Sequence, residues 1–340
     1  MRRYSFFLLL ILALLLTACG DNPQPSEPAG SNREASERVV RGETLAGRLL
    51  FVRDGVIWQW KGNEAQPLFG SGEAVHPAWS PNGDRIAYVV RHNSFSDLLL
   101  IDAEGGPLAQ LTEFGTTEPP NSLRRVYASR WVWYPAWHPN GMQIVVAAQA
   151  APPVGDPPAD YNLSLALLAA SPGPITSLYA DSNAHVGRSA FSPDGAVLVF
   201  TRAGLGPQGA QQLYRLDLAT REARVVPGAP VPSYDPAFSP DGFWLAFTAR
   251  DGGGTDLFGL PSGGVGVPQR LTSLGTARSP AFAPEGTQLA FLAIAPGETG
   301  FDLWVADLSL SELGALVASE PRRLTTGMHL DVDSGVAWAP

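Results

Sequence analysis

An all-β, six-bladed β-propeller of four-stranded antiparallel blades is the fold the sequence predicts, on three observations. The phrase PAFSPDG at 236–242 is nearly repeated as SAFSPDG at 189–195. Looser copies stand at 77–83 (PAWSPNG), 135–141 (PAWHPNG) and 280–286 (PAFAPEG), and a shortened one, VAWAP, starts at Val336. Six copies at a period of about 49 residues mark a modular array. The chain also carries 36 Gly and 31 Pro, with no long helical apolar period outside its first residues. That composition disfavours a helical solenoid. Finally, the last phrase is a first strand without partners, whereas the stretch 47–69 reads as later strands without a first.

Each unit justifies four strands in turn. Ser-Pro-Asp-Gly presets φ with Pro and supplies Gly at the end of a tight turn. The residues before it are apolar and extended. Those after it form short apolar runs: RIAYVV, QIVVAA, VLVF, WLAFTA and QLAFLA. The phrase therefore predicts a β-hairpin. A third strand follows as DLLLIDA, QLYRLDL, DLFGL or DLWVAD, and is weakest in the second unit, YNLSLALLA. A fourth follows as PLAQLT, PQRLT or PRRLT. Four antiparallel strands at this period are propeller blades. The C-terminal strand is expected to sit innermost in the sixth blade, with three N-terminal strands outside it, so that no sheet edge is left where the ring closes.

The N-terminus stands apart. Arg2 and Arg3 precede an apolar run over 6–16, shorter than the roughly 20 residues of a membrane span. A basic start followed by a short apolar run predicts an export signal. The next stretch, LTACG at 16–20, resembles the lipobox of bacterial lipoproteins. That resemblance implies cleavage after residue 18 and lipid on Cys19, the only cysteine, so that acyl chains anchor the protein. Residues 19–46, rich in Pro, Ser, Glu and Gly, are expected to form a disordered tether, and 47–340 the propeller. Loss of Arg2 and Arg3 would move the net charge from −9 to about −11. Acidity of this size argues against a nucleic-acid partner.

The phrases AWSPNGDRIAY and AFSPDGFWLAF, with their following LT strands, resemble the repeat of TolB-type six-bladed propellers, within the wider WD-like group. The resemblance covers 47–340. It implies an envelope protein that acts by binding a partner, here as a monomer on the extracytoplasmic side of the membrane. The chain departs from the TolB pattern in having a tether where TolB has an α/β domain, and in its lipobox.

Function is expected in the loops between the phrases. The connection 113–134 is long and holds Arg124, Arg125, Tyr127, Arg130, Trp131 and Trp133. Arg, Tyr and Trp are the types enriched at binding hot spots, and this set predicts a partner surface, with the proline-rich 149–160 beside it. On the same side, His76, Tyr134, Arg188, Asp235, Ser279 and Gly335 stand three residues before the aromatic of each phrase, with Arg278 and Asp333 next to them. They are expected to ring the channel mouth, where mixed charge suits a carboxylate-bearing peptide or sugar. The opposite side, made of short turns, is expected to be plain, except for a longer loop at 308–320 with a possible helical period.

His76, His92, His185 and His329 map to the loop side, but their spacing matches no compact metal motif, and no metal or cofactor is assigned. No G-x-S-x-G, H-E-x-x-H or P-loop pattern occurs, so no catalytic residue is assigned. The leading expectation is a non-catalytic binder of an envelope protein or peptide. The alternatives are a metal-assisted hydrolase or lyase at the channel mouth, or a carbohydrate-binding module using Trp131 and Trp133.

Overall fold

The computed structural model describes residues 40–149, 162–206, 209–264 and 266–340. Cys19, the export signal, most of the expected tether and residues 150–160 lie outside the described residues. Strands gather into six antiparallel sheets. Blade one runs Ala74–Trp79, Arg85–Arg91, Ser96–Asp102 and Pro107–Gln110, from the channel outwards. Blades two, three and four repeat this order from inner strands Val132–Trp137, Ala184–Phe191 and Ser233–Phe238, and blade five from Arg278–Phe282.

Blade six closes the ring. The C-terminal strand Ala337–Ala339 pairs with Arg48–Leu50, within the strand Val40–Arg53. Two 14-residue strands, Val40–Arg53 and Val56–Phe69, stand outside it, where three were expected. Regular pairing also begins at Val40, seven positions ahead of the expected start of the propeller at Gly47. Arg48 joins the closure: its Nε donates to Pro340 O (3.0 Å) and its Nη2 to Gly83 O of blade one (2.6 Å). Trp338 Nε1 donates to Ala46 O at 2.9 Å.

The turns obey the phrase. Ser80, Ser192 and Ser239 each accept, through Oγ, the backbone N–H five residues on, at 2.9–3.0 Å. Gly83, Gly195 and Gly242 hold φ of +68°, +72° and +76°, which glycine adopts without strain. The third and fourth strands are tied by a second repeated device. Asp97, Asp256 and Asp302 accept the hydroxyls of Thr112, Thr272 and Thr325 at 2.8–2.9 Å, together with backbone N–H groups of the following connection.

The core is divided among the interfaces between neighbouring blades, each holding one apolar cluster. Phe200, Phe247 and Phe291, at matching places in three second strands, are fully buried. Each contributes about 1.5–3 kcal/mol by leaving water. The stretch 308–320 forms no helix. It extends Asp302–Leu310 into a hairpin with Leu316–Ala318, because Ser311–Gly314 supplies a turn (Gly314 N–H to Ser311 O, 2.9 Å).

Candidate functional site at the channel mouth

Inner strands converge on the axis, so whatever side chain stands at their loop-side start faces its counterparts from other blades. A register shift interrupts the first hairpin of blades one to five at this position, between Val75 and Ala78, Trp133 and Ala136, Val186 and Ser189, Tyr234 and Ala237, and Arg278 and Ala281. Such bulges leave the ladder and re-aim a side chain. His76, Tyr134, Asp235 and Ser279 hold φ of +52° to +57°, and Gly335 of +69°. Left-handed backbone at non-glycine residues costs on the order of 1–3 kcal/mol each and gathers at functional sites.

The structure brings the expected ring together. Asp235, buried, stands 3.4 Å from Arg188 Nε and 3.2 Å from Arg278 Nη2. It also accepts the hydroxyls of Ser279 (3.3 Å) and Thr248 (3.4 Å). Arg278 Nη1 reaches Asp333 at 3.3 Å. Burial opposes the charge of Arg278, but Asp235, Tyr234 and Asp333 together outweigh it, so its pKa is raised. Arg188 crosses the mouth from blade three to blade six, donating to Asp333 O at 2.7 Å. A Cβ on Gly335 would collide with Arg188 Nη1, so glycine at the sixth ring position makes room for the guanidinium.

His76 is buried, and burial first, then Arg188, holds its pKa well below 6.5. Its backbone N–H donates to Ser334 Oγ at 3.2 Å. Burial likewise raises Tyr134 and Tyr234 above the ordinary tyrosine value. Among the described residues no group of three or more His, Cys, Asp or Glu side chains is placed to hold a metal. His92 stacks on Phe95 at 4.2 Å, and His185 Nδ1 accepts the Leu163 N–H at 3.1 Å.

The connection 113–134 contains a short helix, Leu123–Ala128, capped by Ser122, whose side chain accepts the Arg124 N–H. Its arginines divide by role. Arg125 braces the loop, donating to Ser94 Oγ (2.9 Å) and Glu118 O (2.6 Å). Arg130 lies over Phe114, 4.4 Å from the ring centre. These two contacts hold the loop together, and both side chains remain partly exposed. Arg124 is exposed, and Tyr127 is half-buried.

Trp131 and Trp133 stack at 5.4 Å, Trp133 meets His76 edge-on at 5.6 Å, and His76 lies 4.3 Å from Tyr134. Arg188 covers Tyr134 at 5.5 Å. An unbroken chain of rings thus runs from Trp131 and Trp133 of the long connection, through buried His76, to Tyr134 of the charged ring. Periodicity alone does not show this link, because it depends on the bulge that turns His76 inwards.

Two cavities open on this side. One, of about 110 Å³, is bounded by Tyr134, Arg188, Thr201, Asp235 and Arg278. The other, of about 290 Å³, shares Gln211 and Tyr234 with it and extends to Arg250, Gly254 and Phe301. The turn side is not plain. A funnel of about 480 Å³ opens there between inner strands, lined by Pro77, Ala136, Phe238 and Trp338 among others.

Fold and mouth together define a closed six-bladed propeller with a polar channel entrance. The same fold occurs in TolB from Acinetobacter baumannii, with a TM-score of 0.61 and 20% identity over 88% of this chain and 68% of that one. It occurs in a TolB-type structure from Agrobacterium tumefaciens, with a TM-score of 0.56 and 16% identity over 88% of this chain and all of that one. A chain of the nidogen–laminin complex also shares it, with a TM-score of 0.57 and 11% identity over 87% of this chain and 99% of that one. No protein-family model matches. Among curated proteins, the chain is 25% identical over 203 residues to the uncharacterized peptidase YuxL of Bacillus subtilis (strain 168). The match covers 57% of this chain, which spans about a quarter of that relative's length. Identities at this level carry the fold and leave the activity open.

Proposed function

We propose that the protein is a lipid-anchored, extracytoplasmic propeller that binds a protein or peptide of the cell envelope on its loop side, without catalysing a reaction. The observation that carries this reading is the continuous path of contacts that links partly exposed Trp131, Trp133 and Tyr134, through buried His76, to Arg188 and Arg278 held by buried Asp235. It offers stacked aromatic area beside directed charge, the combination found at binding hot spots. Guanidinium groups held over rings by mutual contacts, as Arg188 is over Tyr134 and Arg278 over Tyr234, are pre-organised, which lowers the cost of association.

The shared TolB fold supports a binding role, and the partial match to a relative named as a peptidase supports a peptide as the ligand class. Among the described residues no helix is long and apolar enough to cross a membrane; anchoring is assigned to Cys19 on the lipobox alone.

The test is a pull-down from solubilised envelopes with the full chain as bait, against an Arg124→Ala/Trp131→Ala bait. A protein retained by the first and lost by the second supports the reading. Equal retention by both, or none by either, counts against it.

A further inference from the structure

The threonines of blades three and four occupy matching places, and their surroundings differ in one respect. Thr248 follows Phe247 in blade four, and its hydroxyl donates to the Asp235 carboxylate at 3.4 Å. Thr201 follows Phe200 in blade three, where the ring position is held by Arg188 and no carboxylate stands in the place of Asp235. Thr201 is 4% exposed, and its Oγ1 has no hydrogen-bond partner among the described residues. Two further buried donors on the same cavity are without one: Arg278 Nε, and Arg188 Nε, whose approach to Asp235 at 3.4 Å lacks hydrogen-bond geometry. Buried polar groups are seldom left unpaired, and each such group in a native fold calls for an explanation.

Resting on the binding reading above, we infer that the cavity between Arg188, Arg278 and Thr201 takes a carboxylate carried by an extended peptide, whose neighbouring residues pass over Tyr234 into the adjoining cavity. Three residues bounding the cavity carry unpaired buried donors, and guanidinium groups recognise carboxylates with strong, directed bonds. At about 110 Å³ the first cavity has room for roughly three water volumes of about 30 Å³, enough for a carboxylate and a methylene. The second, about 290 Å³, is walled by Gly254, Tyr234 and Phe301 and has room for the residues next to the carboxylate.

Formal charge favours an anion. Arg188, Arg278 and Arg250 line the joined cavities against Asp235 and Asp333. Asp235 is fixed by two arginines and two hydroxyls, whereas the Asp333 side chain is 69% exposed and makes one ion pair. Asp333 is therefore the carboxylate a ligand displaces.

The test uses the full chain and pentapeptide pools in three forms: free C-terminal acids lacking Asp and Glu, the same pool as C-terminal amides, and amides carrying one Glu. Retention of one carboxylate-bearing pool about tenfold above the neutral amides is expected. Which pool it is distinguishes a chain terminus from a side chain. Thr201→Val should lower that retention several-fold while leaving the melting temperature unchanged or higher, because it removes an unpaired buried hydroxyl. Asp333→Asn should raise retention.

Equal retention of all three pools would overturn the inference, as would retention insensitive to Thr201→Val. An envelope partner that is lost with Arg124→Ala/Trp131→Ala but indifferent to Thr201→Val would sink this inference and leave the binding reading standing.

Discussion

The Asp235 carboxylate lies 3.2 Å from the Arg278 guanidinium, and the pair is the fixed point of a charge network that joins blades three to six across the channel. Removing one partner of a buried pair leaves an uncompensated charge and costs about 3–5 kcal/mol. Both arginines keep about a fifth of their side chains exposed, which points to the lower end, about 3 kcal/mol. Asp235→Ala should therefore lower stability by about that amount in denaturant unfolding. Combining it with Arg278→Gln should cost less than the sum of the two single changes, the signature of direct coupling. Additive effects would show that the pair is not coupled.

The repeated Asp–Thr latch should matter as much for the scaffold as the charged ring does for the mouth. Asp302 is buried, accepts Thr325 Oγ1 and the N–H groups of Gly327 and Met328, and faces Arg323 at 2.6 Å. Asp302→Ala leaves those donors and a charge unpaired, and a loss of about 3 kcal/mol is expected. Thr325→Val, which removes one neutral donor, should cost about 1 kcal/mol. Thermal unfolding of both variants checks the order.

Closure rests on three residues of strand, Ala337–Ala339, and on Arg48, which binds the C-terminal segment and blade one together. Deleting residues 334–340 exposes the edge of Val40–Arg53 and removes Trp338 from the blade-five and blade-six cluster. A broad, non-cooperative transition is expected in calorimetry. A sharp transition at the wild-type temperature would show that the ring does not need this strand.

Acid sensitivity should report on His76. Its folded pKa lies below 6.5, so the unfolded chain takes up a proton near pH 6.5 that the folded chain refuses. The neutral form's stabilisation is complete above pH 6.5 and is lost as pH falls below it, by at most about 1.4 kcal/mol per pH unit. Lowered carboxylates such as Asp181, Asp307 and Glu298 act beneath their ordinary values of 3.8 and 4.5, and so outside this window. His76→Asn, neutral and tolerant of left-handed backbone, should flatten the melting temperature between pH 6.5 and 5. An unchanged slope would assign the effect elsewhere.

Much of this was legible in the sequence for a physical reason. The Ser-Pro-Asp-Gly phrase and its looser copies are local rules repeated along the chain, so the fold announces itself several times. The ring residues were legible because they keep a fixed distance from an aromatic that must face the core. What was not legible depends on contacts between blades. Nothing local marks Arg125 and Arg130 as braces for their own loop, or shows that Trp133 meets a histidine from blade one edge-on. Val40–Ala46 reads as tether by composition, yet Leu45 packs against blade five, and Glu43 pairs with Arg322 at 2.8 Å. The hairpin extending Asp302–Leu310 escaped because its exposed Leu310 and Leu313 mimic a helical period.

The central claim, that the loop side is the partner surface, is tested most directly by site-specific photo-crosslinking in intact envelopes. A photoreactive residue would replace exposed Arg124 on the loop side or exposed Met142 on the turn side. A discrete adduct from position 124 and none from position 142 is the predicted result. An adduct from position 142 alone would contradict the account and move the partner to the funnel on the other side of the ring.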